Sequence, residues 1–312
     1  MLPKILVVAG PTASGKTGLG VDLALCHNGE VVSADSMQIY RRMDIGTAKP
    51  TPGETQGVPH HMIDIADPEE DYSVARYVQE ASACVDGILA RGKLPIVVGG
   101  TGLYIDSLLS GRTFAAPSTG WRERLQNRAR AEGTAPLLEE LRAVDPEAAA
   151  RLHLNDEKRI IRALEVWHET GETITAHNKA TQALPPRYDA LILGLNFASR
   201  TDLWQRIDQR VDEMLSAGLE QEVRALLASG VPPQATALQA IGYKEFSAAV
   251  RGEASFARAA EEVKLRSRQY AKRQLTWFRR NPAIRWIVWE KSPDLAWARQ
   301  KAAEYMAESG LL

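Results

Sequence analysis

The sequence predicts an α/β fold: a parallel sheet with a block of helices inserted in it and a helical C-terminal region. Three observations carry this. Short, apolar, β-prone runs alternate with helical segments through the first third of the chain, the pattern of strands joined by crossover helices. Near Arg112 the texture changes to a stretch rich in Ala, Glu, Arg and Leu that reads as several short helices. Pro185-Pro186 closes that stretch, and Ala190-Leu191-Ile192-Leu193-Gly194-Leu195 then reads as a strand returning to the first sheet. The expected division is residues 1–112 for the first part of the core, 113–187 for a helical insertion and 188–312 for completion of the core.

Taken in order, Lys4 to Ala9 is a buried parallel strand. Gly10-Pro11-Thr12-Ala13-Ser14-Gly15-Lys16-Thr17 follows at once, and Thr17 to His27 reads as a helix with Leu19, Leu23 and Ala24 on one face. Strand, G-x-x-x-x-G-K-T and helix is the order a phosphate-binding loop requires. The glycines let several backbone amides face one anion, the helix N-terminus adds partial positive charge, and Lys16 adds a full one. The Thr17 hydroxyl is placed to hold Mg²⁺. The second strand, Glu30 to Ala34, delivers Asp35. A long polar stretch to Pro59 has no period and reads as a functional loop, and Met62 to Ile65 as a short strand. Ser73 to Arg91 is a helix ending near Gly92. Leu94 to Val98 is the next strand, and it ends in Gly99-Gly100-Thr101-Gly102 before another helix. Ligands on parallel sheets lie at the carboxyl ends of strands, so one site can gather the phosphate loop, Asp35 and Thr101.

After Asn196 the chain turns helical. Leu203, Ile207, Val211 and Met214 form an apolar stripe at helical spacing, flanked by Arg206 and Arg210 one turn apart. Arg258 to Arg285 is strongly basic, with Glu261 and Glu262 as its acidic residues. A terminal strand, Ile284 to Trp289, and a last helix complete the chain.

Composition narrows the function classes. The net charge of −1 gives no overall pull toward nucleic acid, so local patches must carry any such argument. Cys26 and Cys84 form no C-x-x-C, which excludes a cysteine-based zinc finger and a disulfide framework and fits a reducing cytosol. Both read as core positions in helices. Apolar runs fall well short of the ~20 residues of a membrane span, and the N-terminus does not read as a signal peptide.

Asp35, just past a strand and facing the phosphate loop, can help hold Mg²⁺ or take a proton from a nucleophile; it can also simply cap the turn at Ser36 and Met37. Thr101 offers a hydroxyl between flexible backbones, or a helix cap. His60-His61 is not a metal pair, because adjacent side chains on an extended chain point opposite ways. In the basic segment Arg266, Tyr270, Arg273, Trp277 and Arg280 lie near one helical stripe, with Lys264, Arg268, Lys272 and Arg279 nearly opposite. Cations interleaved with aromatic faces suit phosphates and unstacked bases; the alternative is a solvated charged helix with Trp277 in the core.

G-P-T-A-S-G-K-T, Ala34-Asp35-Ser36-Met37-Gln38-Ile39-Tyr40, Met43-Asp44-Ile45-Gly46-Thr47-Ala48-Lys49-Pro50, Val58-Pro59-His60-His61, G-G-T-G-L-Y and Lys272-Arg273-Gln274-Leu275-Thr276-Trp277-Phe278-Arg279 occur in that order. This set resembles the tRNA dimethylallyltransferases, also called tRNA isopentenyltransferases, over nearly the whole chain. The resemblance implies a P-loop kinase-like core with a helical insertion that contacts tRNA. It implies transfer of a dimethylallyl group from dimethylallyl diphosphate to the exocyclic amine of the adenosine 3′ to the anticodon, in tRNAs reading codons that begin with U. Asp35 would be the base and Thr101 would lie near the reacting amine. The loop residues Gly10, Pro11, Thr12, Ala13, Ser14, Gly15, Lys16 and Thr17, a Mg²⁺ near Thr17, and Arg210 would hold the diphosphate. Arg210 is the second arginine of the family's R-I-x-x-R helix. The tRNA anticodon stem-loop would meet Asp35, Ser36, Met37 and Gln38, Thr101, Arg159, Ile160, Ile161, Arg162 and Ala163, Ile241, Gly242, Tyr243 and Lys244, and Lys272, Arg273, Gln274, Trp277 and Arg279. The expected protein is a cytoplasmic monomer with no membrane partner. The loop alone suits ATP equally, so a small-molecule kinase is the main rival, and a nucleotide-regulated, non-catalytic RNA-binding protein the second.

Overall fold

The structure, a computed structural model, describes residues 2–111 and 120–311, with Gln182 described by its backbone alone. Arg112, where the sequence predicts the change of texture, lies outside the described residues, as does the rest of 112–119. The chain divides into two compact units, Met1–Leu109 with Arg187–Leu312, and Ser110–Pro186.

In the first unit β1 (Lys4–Ala9), β2 (Gly29–Ser33), β3 (His60–His61), β4 (Leu94–Gly99), β5 (Asp189–Phe197) and β6 (Arg285–Trp289) form one sheet. Its spatial order is β3-β2-β4-β1-β5-β6, and all pairs are parallel. Ile5 to Ala9 are completely buried. Alternate residues of a strand face opposite sides, so both faces of the sheet are covered there. Ala9 lies opposite Gly99, and Ser33 opposite Val98. The carboxyl ends of β1, β4 and β2, which are neighbours, therefore fall level, and the three loops that leave them share one edge.

The expected strand over Met62 to Ile65 is displaced. The extended pair is His60–His61, because Met62 (φ 64°) and Asp64 (φ 56°) turn into the left-handed region and end the ladder. The helices of this part are α1 (Lys16–Cys26), the short α2 (Pro52–Thr55), α3 (Val74–Ala90) and α4 (Gly102–Leu109). The Ser73 hydroxyl caps α3 by accepting from the Arg76 amide at 3.2 Å. Neither cysteine is core: Cys26 ends α1 off its buried stripe and is exposed, and Cys84 is half-buried.

Among the described residues of the second unit the regular elements are helices: α5 (Trp121–Glu132), α6 (Ala135–Val144), α7 (Pro146–Ala149), α8 (Glu157–Thr170) and α9 (Ile174–Gln182). Leu125, Leu137, Leu141, Ile160 and Leu164 are the centre of its core. Asp145 caps α7 at the Ala148 amide (3.0 Å) and holds Thr175 through its amide (3.0 Å) and hydroxyl (2.7 Å). Ile160, Ile161 and Ala163, expected to meet RNA, are buried in this core. They are the apolar stripe of an amphipathic helix, which leaves Arg159 and Arg162 as the accessible part of that segment.

The first unit resumes with α10 (Arg200–Ser216), α11 (Leu219–Ala228), a 3₁₀ turn (Ala237–Gln239), α12 (Tyr243–Val250), the long α13 (Phe256–Phe278) and α14 (Leu295–Glu308). Arg268 holds Asp208 with two bonds (2.5 and 2.6 Å) and Lys264 holds Asp212 (2.8 Å), which lays α13 along α10. These two cations of the basic segment are thereby used inside the fold.

Candidate active site

The loop after β1 is a cradle of backbone. Ala13 (φ 61°) and Gly15 (φ 85°) are left-handed, which turns successive amides toward one point. A Cβ at Gly10 would lie 2.6 Å from the Leu195 carbonyl, so only glycine lets the loop start this close to β5. Three distant side chains fix its shape. Gln274 accepts the Thr12 N–H at 2.9 Å, Arg206 Nε donates to the Ala13 carbonyl at 2.9 Å, and Trp289 Nε1 donates to the Ser14 carbonyl at 2.9 Å. The buried Ser14 hydroxyl donates to the Pro11 carbonyl at 2.8 Å, as does Lys16 Nζ at 2.6 Å.

The loops after β2 and β4 are stitched together beside it. Thr101 donates its N–H to the Ala34 carbonyl (3.1 Å), and its hydroxyl accepts the Ser36 N–H (3.2 Å). Asp35 Oδ1 accepts the amides of Met37 (2.8 Å) and Gln38 (3.3 Å). The capping role is thus real, and it orients a carboxylate that also faces two cations. Lys16 and Arg210 both interact electrostatically with Asp35. Burial, and then the charge of Arg210, depress the Lys16 ammonium to a pKa of about 7, with Asp35 partly opposing. Burial also lowers Arg210. Arg206, Glu54 and Glu213 also act on Arg210, but both glutamates are exposed; the half-buried Lys16 and Arg210 beside Asp35, in a partly desolvated place, make a site whose field favours an added anion.

These groups line a cleft of about 660 Å³ that includes Thr12 to Thr17, Asp35, Arg206, Arg210, Tyr270 and Gln274. A second cavity of about 280 Å³ shares Thr12, Ala13, Asp35, Arg210 and Tyr270 with it. Ile207, Val211, Met214 and Val263 give that second cavity an apolar wall. Among the described residues no cluster of three His, Cys, Asp or Glu could hold a metal by itself. Among the cleft's oxygen donors the Thr17 hydroxyl, in the first turn of α1, fits Mg²⁺, which takes few protein ligands and completes its shell with phosphate and water.

The structure gathers Lys16, Thr17, Asp35 and Arg210 on this cleft, with Thr101 beside it. Ser36, Met37, Ile241 and Gly242 line the second cavity. Lys244, Lys272, Arg273 and Arg279 are exposed. Other expected RNA contacts are engaged within the protein. Gln38 accepts from the Ser33 hydroxyl (3.2 Å) and donates to the carbonyls of Thr47 (3.2 Å) and Ala48 (3.1 Å). Tyr243 is completely buried and its hydroxyl donates to Glu222 at 2.5 Å. Gln274 is buried, and Trp277 is half-buried with Nε1 donating to Asp106 at 2.8 Å. Trp277 lies over Gly102, where a Cβ would come within 2.2 Å of its ring. The two histidines separate as expected: His61 Nε2 pairs with Glu30 (2.7 Å) and His60 Nδ1 with the Val58 carbonyl (2.8 Å).

Glu222 was invisible in the sequence. Its carboxylate accepts the amides of Asp44 (2.9 Å), Ile45 (2.9 Å) and Gly46 (3.1 Å), and so shapes the loop that brings Thr47 and Ala48 to both cavities. A single Glu in an ordinary helix carries no local signal for this. Trp289, which holds the Ser14 carbonyl, carries none either.

Comparison with known proteins matches residues 38–281 to the IPP transferase family model and residues 3–67 to the isopentenyl transferase model. The chain is 47% identical over 310 residues to the tRNA dimethylallyltransferase of Caldanaerobacter subterraneus, covering 98% of each chain. It is 48% identical over 295 residues to that of Geobacter sulfurreducens, covering 93% of this chain and 94% of the relative. Among solved structures, the full-length tRNA isopentenylpyrophosphate transferase of Bacillus halodurans superposes with a TM-score of 0.73 at 38% identity, covering 98% of each chain. A eukaryotic dimethylallyltransferase, described as acting on tRNA, superposes with a TM-score of 0.83 at 31% identity, covering 99% of this chain and 79% of its own.

Proposed function

This chain belongs to the IPP transferase family, and from that premise we propose how its cleft carries out the transfer of a prenyl group to tRNA. The chain is a prenyl-transferring enzyme, and neither the kinase nor the non-catalytic RNA-binding alternative is favoured. The donor is dimethylallyl diphosphate and the acceptor the exocyclic amine of the adenosine 3′ to the anticodon, in tRNAs reading codons that begin with U. The observation that carries this reading is the pair of half-buried cations, Lys16 and Arg210, set beside Asp35 at the phosphate loop. A diphosphate satisfies it, and the carboxylate lies where an amine proton must go.

In the reaction the amine nitrogen bonds to the first carbon of the dimethylallyl group as the carbon–oxygen bond to diphosphate breaks. Asp35 accepts the proton that leaves the nitrogen, which the amine needs because its lone pair is delocalised into the ring. Charge develops on the leaving diphosphate, and the loop amides with Lys16 and Arg210 stabilise it there. Thr101, whose hydroxyl is fixed by Ser36, orients the amine. A Mg²⁺ held by Thr17 would neutralise part of the diphosphate charge when bound. The target base must leave its stack to enter, and the second cavity is the space beside Asp35 that can take a planar or apolar group. The exposed cations Lys244, Lys272, Arg273 and Arg279 meet the anticodon stem-loop, as do Arg159 and Arg162 of the helical unit. No helix among the described residues is long and apolar enough to cross a membrane. The protein works as a monomer, and the tRNA substrate supports the cytoplasm as its workplace.

Incubation of the protein with unmodified tRNA, Mg²⁺ and labelled dimethylallyl diphosphate, followed by nucleoside mass analysis, tests this. A dimethylallyl adduct on the adenosine beside the anticodon is the expected result. No adduct, with phosphate transfer from ATP in a parallel assay, would return the loop to the kinase reading.

A further inference from the structure

We propose that Gln274 is a positioning residue for the donor's diphosphate, not an RNA contact, and that through it the helix bearing the outer cations is fastened to the phosphate loop. This rests on the reading of that loop as the diphosphate site.

Tyr270, Gln274 and Trp277 are spaced so that they share one face of α13. All three reach inward. Tyr270 is hydrogen-bonded with Thr101 and Gln274, and Trp277 with Asp106. Gln274, 6% exposed, bridges two loops with the two ends of its amide. The carbonyl oxygen accepts the Thr12 N–H at 2.9 Å, and Nε2 donates to the Gly100 carbonyl at 2.9 Å. One partner is a donor and the other an acceptor, so the amide has a single satisfactory orientation. It therefore fixes the distance between the loop after β1 and the turn after β4. Thr12 to Lys16 must stay pre-shaped to receive a diphosphate, and loop amides that have to rearrange on binding lose affinity. Gly100 carries the same message from the other side. A Cβ there would stand 2.2 Å from Gln274 Nε2, so the residue at 100 has to leave room for this amide. Lys272 and Arg273, the residues just before Gln274, are exposed. The amide that holds the donor loop and the cations that face solvent thus belong to one helical turn.

The test compares wild type with Gln274→Ala, Gln274→Asn, Gln274→Glu and Gly100→Ala. Calorimetry measures the Kd for inorganic diphosphate and for dimethylallyl diphosphate, and filter binding measures the Kd for unmodified tRNA at one fixed salt concentration. Gln274→Ala, Gln274→Asn and Gly100→Ala should each weaken both diphosphates by about tenfold, roughly one decade of Kd, and leave tRNA affinity within about twofold. Asn keeps the amide but is too short to span both loops. Gln274→Glu still accepts the Thr12 N–H but sets a negative charge against the Gly100 carbonyl and on the diphosphate cleft, so it should lose the most. Under steady state the donor KM should rise more than kcat falls. Unchanged diphosphate affinity in Gln274→Ala and Gly100→Ala overturns the proposal, and so does weakened tRNA binding with diphosphate affinity intact. If Gln274→Ala fails to fold, Gly100→Ala and Gln274→Asn decide by the same readings. Wild type that binds diphosphate without modifying tRNA sinks the functional reading and leaves this test standing. Wild type that binds no diphosphate removes the reading before any variant is compared.

Discussion

Strand β2 carries a carboxylate near each end, and the fold treats the two in opposite ways. Glu30, 3% exposed, is enclosed. Lys93 donates to Oε1 at 2.8 Å, and Arg91 (2.6 Å) and His61 (2.7 Å) meet Oε2. Burial alone would push its carboxyl up, but the bonds from Lys93, His61 and Arg91 outweigh burial and hold it at about 2. Its two cations also reach solvent: their side chains are 50% and 32% exposed for Arg91 and Lys93. Asp35, past the other end, takes backbone amides on one oxygen and faces Lys16 and Arg210, both shifted toward the neutral form by burial. At Glu30 the charge is resolved inside the fold and contributes stability. At Asp35 the two half-buried cations are left for the proposed diphosphate to meet. Buried charge marks function where the fold leaves it unsatisfied.

The largest expected difference between the two ends is in rate. Asp35→Asn should cut single-turnover prenyl transfer by ~10²-fold or more while tRNA affinity stays nearly intact. Unchanged turnover, read by quench-flow, would erase the contrast by making Asp35 a cap and nothing more. The same treatment of Glu30 should move stability instead. Glu30→Gln should cost roughly 1–3 kcal/mol in urea unfolding, with kcat of the folded enzyme unchanged. Its pH signature has a definite sign. A carboxyl held at about 2 contributes stability that is present above its ordinary value of 4.5 and lost as pH falls toward 2. The Glu30→Gln variant should lack that part of the acid transition.

A subtler effect concerns Lys16. With its ammonium depressed to about 7 from 10.5, the free enzyme carries it largely neutral at alkaline pH. A bound diphosphate restores the charge, so donor binding at about pH 8.5 should take up as much as about one proton, and less near about pH 6. Calorimetry in buffers of different ionisation enthalpy reads this directly, and Lys16→Met should abolish it. Proton uptake that survives the substitution would place the unbalanced charge elsewhere. The smallest effect belongs to the exposed cations of α13, of which Arg273 also lies over the Tyr270 ring at 5.6 Å. Neutralising Lys272 and Arg273 should flatten the salt dependence of tRNA binding by about one unit of slope per lost phosphate contact. An unaltered slope would mean that they meet no RNA.

Much of this was legible in the chain itself. Lys4 to Ala9 could only be a strand buried on both faces, and G-x-x-x-x-G-K-T after it fixed the loop, because these patterns act locally through backbone sterics and burial. Asp35 and Thr101 were legible as strand-end residues for the same reason. The basic segment was read only in part. Its helical period is legible, but the sequence leaves open whether the stripe of Tyr270 and Trp277 faces RNA or the core, and in the structure both bond inward, Tyr270 to Thr101 and Trp277 to Asp106. Period fixes which residues share a face, and not which face the protein covers. The short strand was displaced because positive φ at Met62 and Asp64 is imposed by the surrounding loop, without a glycine to announce it.

The sequence by itself determined the strands other than β3, the phosphate loop and the order of motifs, since each is a property of neighbouring residues. Only the tertiary structure decided that Gln274 and Trp289 hold a loop more than 250 residues earlier in the chain. It alone set Glu222 to shape residues 44–46 and placed Lys16 and Arg210 against one carboxylate. Such roles depend on where helices cross and what burial does to a charge, and neither quantity is written in any short stretch of sequence.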